Sequence, residues 1–134
     1  MKSVIDTNVF VSGIFWKGTS HKIINAWKER KFHLVNSLRN IEELIIVLRD
    51  FKIGMSKELI KEWVNLIIEN SIIVDAFGKI KVVKDDPSDD KFIETAVCGK
   101  ADYIVTQDKH LLDIKEFEGI KIVTPKDFLR ILKI

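Results

Sequence analysis

Cysteine is almost absent from this sequence, and no segment of it is a long apolar run. The one cysteine, Cys98, can form no internal disulfide, and its place in an apolar helical pattern predicts a small buried side chain rather than a nucleophile. No apolar run approaches the roughly 20 residues that a transmembrane helix needs, and the first residues show no secretory signal. We therefore expect a cytoplasmic protein that does not span a membrane.

The sequence also has no large excess of basic over acidic residues. The 22 basic and 20 acidic residues leave a formal net charge of only +2, so the overall balance neither demands nor excludes a nucleic-acid partner. Hydrophobic residues make up 46% of the 134 residues, which is enough to form the core of one ordinary domain. We predict a single domain over residues 1–134.

The spacing of the apolar residues predicts an α/β fold. Short β-branched runs alternate with longer segments of helical period, which is typical of βαβ units around a mainly parallel sheet. Two consecutive helices are predicted after the second strand, and Ile72–Val74 is a further apolar run without an assigned place. The predicted strands are residues 3–6, 33–36, 80–83, 103–106 and 121–123.

Acidic residues follow three of these strands. Asp6 ends the first strand, an aspartate-rich segment at 85–90 follows the third, and Asp108 follows the fourth. Parallel strands end at one edge of a sheet, where ligands of such folds bind, so these carboxylates should converge. Glu43 joins them if the helix after the second strand starts near residue 37 or 38, because it then lies in the second helical turn.

The clustered carboxylates indicate a divalent metal site. Carboxylates in one pocket repel one another unless a cation neutralises them. Mg²⁺ and Mn²⁺ prefer oxygen ligands and leave room for a phosphate, which suits hydrolysis of a phosphodiester bond by an activated water. The three histidines lack the spacing of zinc ligands, and the sequence has no glycine-rich phosphate loop.

Each acid also has a purely structural explanation. Asp86 resembles a helix N-cap with Pro87 at the first helical position, Glu43 could face solvent, and Asp108 could start a turn. Asp6 is the hardest to explain in this way, because nothing near it in the sequence looks built to pair with it. The metal interpretation therefore depends on the predicted convergence of these sites.

Four blocks of the sequence stand out together by their order and spacing: VIDTNVFVSG at 4–13, SLRNIEELIIVL at 37–48, DDPSDDKFIETAVCGKADYIVTQDKHLL at 85–112 and IVTPKDFL at 122–129. These blocks resemble a PIN domain, most closely the prokaryotic group of toxin components related to VapC-like ribonucleases. The resemblance covers nearly the whole chain and implies a three-layer α/β/α sandwich with a central, mainly parallel sheet. It also implies Mg²⁺- or Mn²⁺-dependent endoribonuclease activity on RNA, a homodimer and, often, a cognate antitoxin.

The resemblance also assigns roles to residues. A small residue, Ala96, stands seven positions after Asp89, which favours Asp89 over Asp90 as the third acid, and it leaves Asp90 and Glu42 peripheral. The chain departs from the group at Gln107, where relatives often have glycine, and at His110, where they often have aspartate. The implied catalytic residues and metal ligands are Asp6, Glu43, Asp89 and Asp108. The implied supporting residues are Thr7, Asn8, Ser37 and Thr106, whose hydroxyl would orient water.

Two other functions remain open. A phosphatase of the haloacid dehalogenase class also starts with a strand that runs into an aspartate, but it needs a second aspartate where this chain has Asn8. A PIN fold with weak or no catalysis would act as an RNA-binding or assembly module.

The segment from Leu38 to Asn70 carries more apolar residues than one face of a small sheet can cover, including Ile46 and Ile68. These spare apolar residues predict a two-fold dimer.

Overall fold

The computed structural model describes residues 1–50, 54–76 and 90–134. Within these residues, six strands form one sheet and seven helices cover it. The strands are β1 Lys2–Ile5, β2 His33–Ser37, β3 Ser71–Val74, β4 Tyr103–Val105, β5 Glu116–Phe117 and β6 Ile120–Val123. The helices are α1 Thr7–Phe15, α2 Thr19–Lys28, α3 Leu38–Asp50, α4 Lys57–Glu69, α5 Asp90–Cys98, α6 Lys109–Leu112 and α7 Pro125–Leu132.

The sheet has the strand order β3-β2-β1-β4-β6-β5. All neighbouring strands pair in parallel except β5 and β6, which form an antiparallel pair. From β1 the chain builds outward to β3 and then returns to add β4 on the other side of β1, so the order reverses between these two central strands. In open α/β sheets, the crevice at such a reversal is where ligands bind.

Alternating side chains of the central strands face two separate hydrophobic cores. Ile5, Leu34 and Val105 pack against helices α1, α2, α3, α4 and α7, whereas Val4, Val35 and Ile104 pack against α5 and α6. This period of two is expected for strands that are buried on both faces. The predicted three-layer α/β/α sandwich is confirmed.

The predicted elements agree with the structure over most of the chain that it describes. Ile72–Val74, which had no assigned place, belongs to β3, while the predicted strand at 80–83 lies outside the described residues. The first helix, α1, was not predicted. No described helix is long and apolar enough to cross a membrane.

One prediction about burial is wrong. Cys98, expected to be buried, is exposed. It is the last residue of α5, so the apolar face of that helix ends before it.

Candidate functional site

Asp6 lies at the end of β1 and at the start of α1, with only 5% of its surface exposed. Because β1 and β4 are parallel and Ile5 is aligned with Val105, the residue after β1 stands beside the residue after β4. The hydroxyl of Thr106 donates a hydrogen bond of 2.6 Å to Asp6 Oδ2. The backbone N–H of Asn8 donates to Oδ1 at 3.3 Å, so Asp6 also acts as the N-cap of α1.

The environment of Asp6 disfavours its charged form. Burial raises the pKa of Asp6 above its ordinary value, and the negative charges of Glu43 and Asp108 raise it further. The hydrogen bonds from Thr106 and Asn8 oppose these effects without outweighing them. Asp6 is therefore a buried carboxylate that a cation would stabilise.

Glu43 lies on α3 and has a partner at each carboxylate oxygen. The hydroxyl of Thr7, the first residue of α1, donates a short hydrogen bond to Oε2. The ammonium group of Lys91, on α5, lies 2.7 Å from Oε1. These two contacts join Glu43 to α1, which follows Asp6, and to α5.

Thr106 connects Asp6 to Asp108. Its hydroxyl donates to Asp6 and accepts the backbone N–H of Asp108 at 3.0 Å. Asp108 in turn caps the short helix α6 by accepting the N–H of His110 at 2.8 Å. The sequence suggests only that Asp108 could start a turn; it does so as a helix cap, which leaves its second carboxylate oxygen outside that contact. Thr106 is fully buried, and its hydroxyl proton points to Asp6.

Ser37 takes part in a buried hydrogen-bond network with Asn40 and Thr95. The hydroxyl of Thr95, on α5, donates to the carbonyl of Lys91 at 2.6 Å and accepts from the side-chain amide of Asn40 at 3.0 Å. It also lies 3.1 Å from the hydroxyl of Ser37. The network fixes α5 against the start of α3, which holds Lys91 and Glu43 at their short distance.

The remaining predicted site residues differ in where they lie. Asp89 lies outside the described residues. Glu42 is exposed, as expected for a peripheral residue, and the side chain of Asn8 is exposed as well. Asp90, predicted to be peripheral to the metal site, is the first residue of α5 and has 7% of its surface exposed.

The carboxylate oxygens at this edge fit a hard divalent cation by their chemistry. Within residues 1–50, 54–76 and 90–134, no three His, Cys, Asp or Glu side chains converge closely enough to hold a metal ion. Both carboxylate oxygens of Glu43 are in contact with protein groups, Thr7 and Lys91. Mg²⁺ and Mn²⁺ prefer oxygen ligands, and the buried carboxylate of Asp6 forms no ion pair with any described residue. Asp6, Glu43 and Asp108 are thus candidate ligands by the chemistry of their side chains, although they do not form a closed ligand set in the described part of the chain.

Comparison with known proteins identifies the family. The PIN domain profile matches residues 2–110, which include every site residue discussed above. The chain belongs to the PIN-domain family. No curated protein matches this PIN domain significantly.

The fold of this PIN domain is also found among solved structures. A chain in the crystal structure of VapBC2 from Rickettsia felis, bound to a DNA fragment from the promoter, is similar with a TM-score of 0.62. The similarity covers 92% of this chain and 98% of the other, at 15% sequence identity. At this level of identity the match establishes a shared fold.

Sequence reasoning missed three residues that shape the site: Lys91, Thr95 and Asn40. Lys91 and Thr95 are four residues apart and lie on the same face of α5, so the helical period already places them together. Their partners on α3 are about 50 residues away in sequence, and no local pattern indicates that contact.

Proposed function

We propose that this PIN domain is a metal-dependent endoribonuclease and the toxin of a toxin-antitoxin pair. The observation that carries the proposal is the buried carboxylate of Asp6 at the point where the strand order reverses, with Glu43 and Asp108 close enough to raise its pKa. A charge buried in this way is costly without a cation. Its presence in a PIN-domain chain supports a catalytic rather than a structural role.

The proposed mechanism is phosphodiester hydrolysis with Mg²⁺ or Mn²⁺. The bound ion would activate water and stabilise the negative charge that develops on the phosphate. Asp6, Glu43 and Asp108 would hold the ion, and Asp89 is proposed to do so on the basis of the family resemblance. Thr106 orients Asp6 through its 2.6 Å hydrogen bond, and Thr7 orients Glu43.

The proposed partners are RNA, a second copy of the chain and an antitoxin. Exposed apolar side chains on α3 and α4 support a dimer, because Ile46 and Ile68 are about half exposed, at 50% and 45%. The similarity in fold to a chain of VapBC2 supports an antitoxin partner. We propose that these interactions take place in the cytoplasm.

A cleavage assay tests the proposal. Purified protein is incubated with labelled structured RNA, unstructured RNA and single-stranded DNA, each with Mn²⁺, Mg²⁺ or EDTA. We expect cleavage within RNA in the presence of either metal and none with EDTA. Cleavage that persists in EDTA contradicts the metal mechanism, and RNA binding without cleavage favours the binding module instead.

A matched assay covers the phosphatase alternative. Release of inorganic phosphate from a small phosphomonoester, with no RNA cleavage, would favour a haloacid dehalogenase-like activity. At the position where that class needs its second aspartate, Asn8 contributes only a backbone N–H to Asp6. We therefore expect no phosphate release.

A further inference from the structure

Lys91 is a buried lysine that faces the acidic site. Its side chain is about 10% exposed, and its ammonium nitrogen lies 2.7 Å from Glu43 Oε1 and 5.0 Å from the centre of the Phe92 ring. Moving an ammonium group out of water costs free energy unless a partner compensates it. The contact with Glu43 is therefore a specific feature of the site rather than a chance meeting of surface charges.

The backbone that carries Lys91 is fixed to the helix that carries Glu43. The carbonyl of Lys91 accepts the hydroxyl of Thr95, which in turn accepts the amide of Asn40 near the start of α3. Thr95 and Asn40 are 0% and 4% exposed, so water does not compete for these hydrogen bonds. The position of the ammonium group is built into the packing of α3 against α5.

Glu43 and Asp6 differ in how their charge is compensated. Both oxygens of Glu43 are in use, one by the Thr7 hydroxyl and one by the Lys91 ammonium. Asp6 has hydroxyl and backbone donors but no ion pair with any described residue. A divalent cation can approach Asp6 directly, whereas at Glu43 it meets a positive charge that is already in place.

We infer that Lys91 competes with the divalent cation for Glu43 and thereby sets the metal concentration that the site needs. The inference rests on the proposed metal-dependent function. When the cation takes the Glu43 oxygen, the charge-assisted hydrogen bond from Lys91 must be broken or rearranged, and this cost weakens metal binding. Lys91 is thus a positioning residue that acts through Glu43.

Calorimetric titration of Mn²⁺ into the metal-free protein tests this competition. Lys91→Met keeps the length of the side chain and removes the charge, so we expect it to bind Mn²⁺ about tenfold more tightly, a difference of about 1.4 kcal/mol. Lys91→Arg keeps the charge and should bind within about threefold of the wild type. Lys61→Met removes an exposed lysine on α4 and serves as the control for net charge.

Two further readouts distinguish competition from a merely structural role. Without metal, Lys91→Met should melt at a lower temperature than the wild type, because Glu43 loses its counterion. The Mn²⁺ concentration for half-maximal RNA cleavage should nevertheless fall about tenfold, in parallel with the dissociation constant. A purely structural lysine would lower the melting temperature without tightening metal binding.

A double-mutant cycle assigns the effect to Glu43. In a Glu43→Gln background, replacing Lys91 with Met should change Mn²⁺ affinity by less than about twofold, because the carboxylate that the two cations share is gone. An equally large effect in that background would mean that Lys91 acts by general repulsion, which overturns the inference.

The outcomes separate this inference from the proposed function. A wild type that binds Mn²⁺ and cleaves RNA, beside a Lys91→Met variant with equal or weaker Mn²⁺ affinity, overturns the role of Lys91 alone. A wild type that binds no Mn²⁺ overturns the proposed function, and the inference fails with it.

Discussion

Charged residues are buried at the edge of the sheet where the parallel strands end and exposed at the edge where β2 and β3 begin. At the edge where the parallel strands end, Asp6 and Lys91 are buried and their polar atoms contact other protein groups. At the edge where β2 and β3 begin, exposed residues, including Arg30 and His33, line a cavity of about 640 Å³. Buried charge is costly and exposed charge is not, so the first edge needs a functional explanation although an open cavity lies at the second.

The cavity at the edge where β2 and β3 begin, here called the starting edge, has a structural explanation. Trp27 forms part of its wall, and the indole N–H donates to the carbonyl of Asn70 at 3.1 Å, which joins the end of α2 to the end of α4. Lys28 lies 4.6 Å from the centre of the Trp63 ring. These contacts hold the two helices together and need no ligand.

The largest effect is expected from Asp6→Asn. The change removes a proposed metal ligand, so RNA cleavage should fall by more than the roughly 10- to 100-fold that is typical for a residue that only orients a ligand. The fold should survive, because the amide oxygen can still accept the N–H of Asn8 and the amide N–H₂ can donate to the hydroxyl of Thr106. Initial cleavage rates with saturating Mn²⁺ and circular dichroism spectra measure the two effects.

The matched control for this variant is Asp50→Asn. Asp50 is exposed at the end of α3 and forms an ion pair with its neighbour Arg49. We expect cleavage within about twofold of the wild type, because exposed ion pairs contribute little. Equal losses of RNA cleavage in Asp6→Asn and Asp50→Asn would mean that the buried acid matters no more than an exposed one.

Thr106→Val should have the next largest effect. It removes the hydroxyl that donates to Asp6 and accepts from the Asp108 N–H, and it keeps the volume of the side chain. We expect cleavage to fall roughly 10- to 100-fold and the free energy of unfolding to fall by about 1–3 kcal/mol. Thr106→Ser keeps the hydroxyl and should be much closer to the wild type in both assays. Wild-type cleavage by Thr106→Val would separate Thr106 from the chemistry.

The pH dependence of stability sharpens the account of Asp6. Since the folded pKa of Asp6 is raised above its ordinary value of 3.8, the folded metal-free protein binds this proton more tightly than the unfolded chain does. The resulting stabilisation is present at low pH and is lost as the pH rises through the folded pKa. Denaturant unfolding of the wild type and of Asp6→Asn should therefore show the variant gaining relative stability as the pH rises from about 4 to 7. A constant difference across that range would contradict the raised pKa.

The smallest effect is expected at the starting edge. Lys28→Met removes an exposed charge that lies over the ring of Trp63, so we expect a loss of roughly 0.5–1 kcal/mol in stability. RNA cleavage and the response to Mn²⁺ should stay within about twofold of the wild type. A large loss of cleavage in Lys28→Met would move the functional surface toward this edge.

Local patterns in the sequence were enough to predict most of the sheet and the positions of three acids. Period-two alternation and the carboxylates after strands placed Asp6 and Asp108 at one edge, and the helical period placed Glu43 once α3 was known to begin at Leu38. Long-range contacts were beyond such patterns. The partner of Asp6 is Thr106, 100 residues away, and the partner of Glu43 is Lys91, 48 residues away.

The failed prediction for Cys98 has a physical origin. Its burial was expected from residue type and helical period, which predict the apolar face of α5 but not where the neighbours of that helix end. Asp90 at the first position of α5 is buried, whereas Cys98 at the last position is exposed. Burial at helix ends depends on tertiary contacts that the helical period does not contain.

The most direct test of the account is a thermal melt of the wild type and Asp6→Asn, each with EDTA and with Mn²⁺ at about 100 times its dissociation constant for the wild type. A ligand at that excess stabilises the folded state by about 2.7 kcal/mol, which corresponds to a rise of roughly 10 °C for a domain of this size. We predict this rise for the wild type, little or none for Asp6→Asn, and an equal or higher melting temperature for the variant in EDTA. A variant that is destabilised in EDTA and still gains the full Mn²⁺ stabilisation would contradict the assignment of Asp6 to a divalent cation.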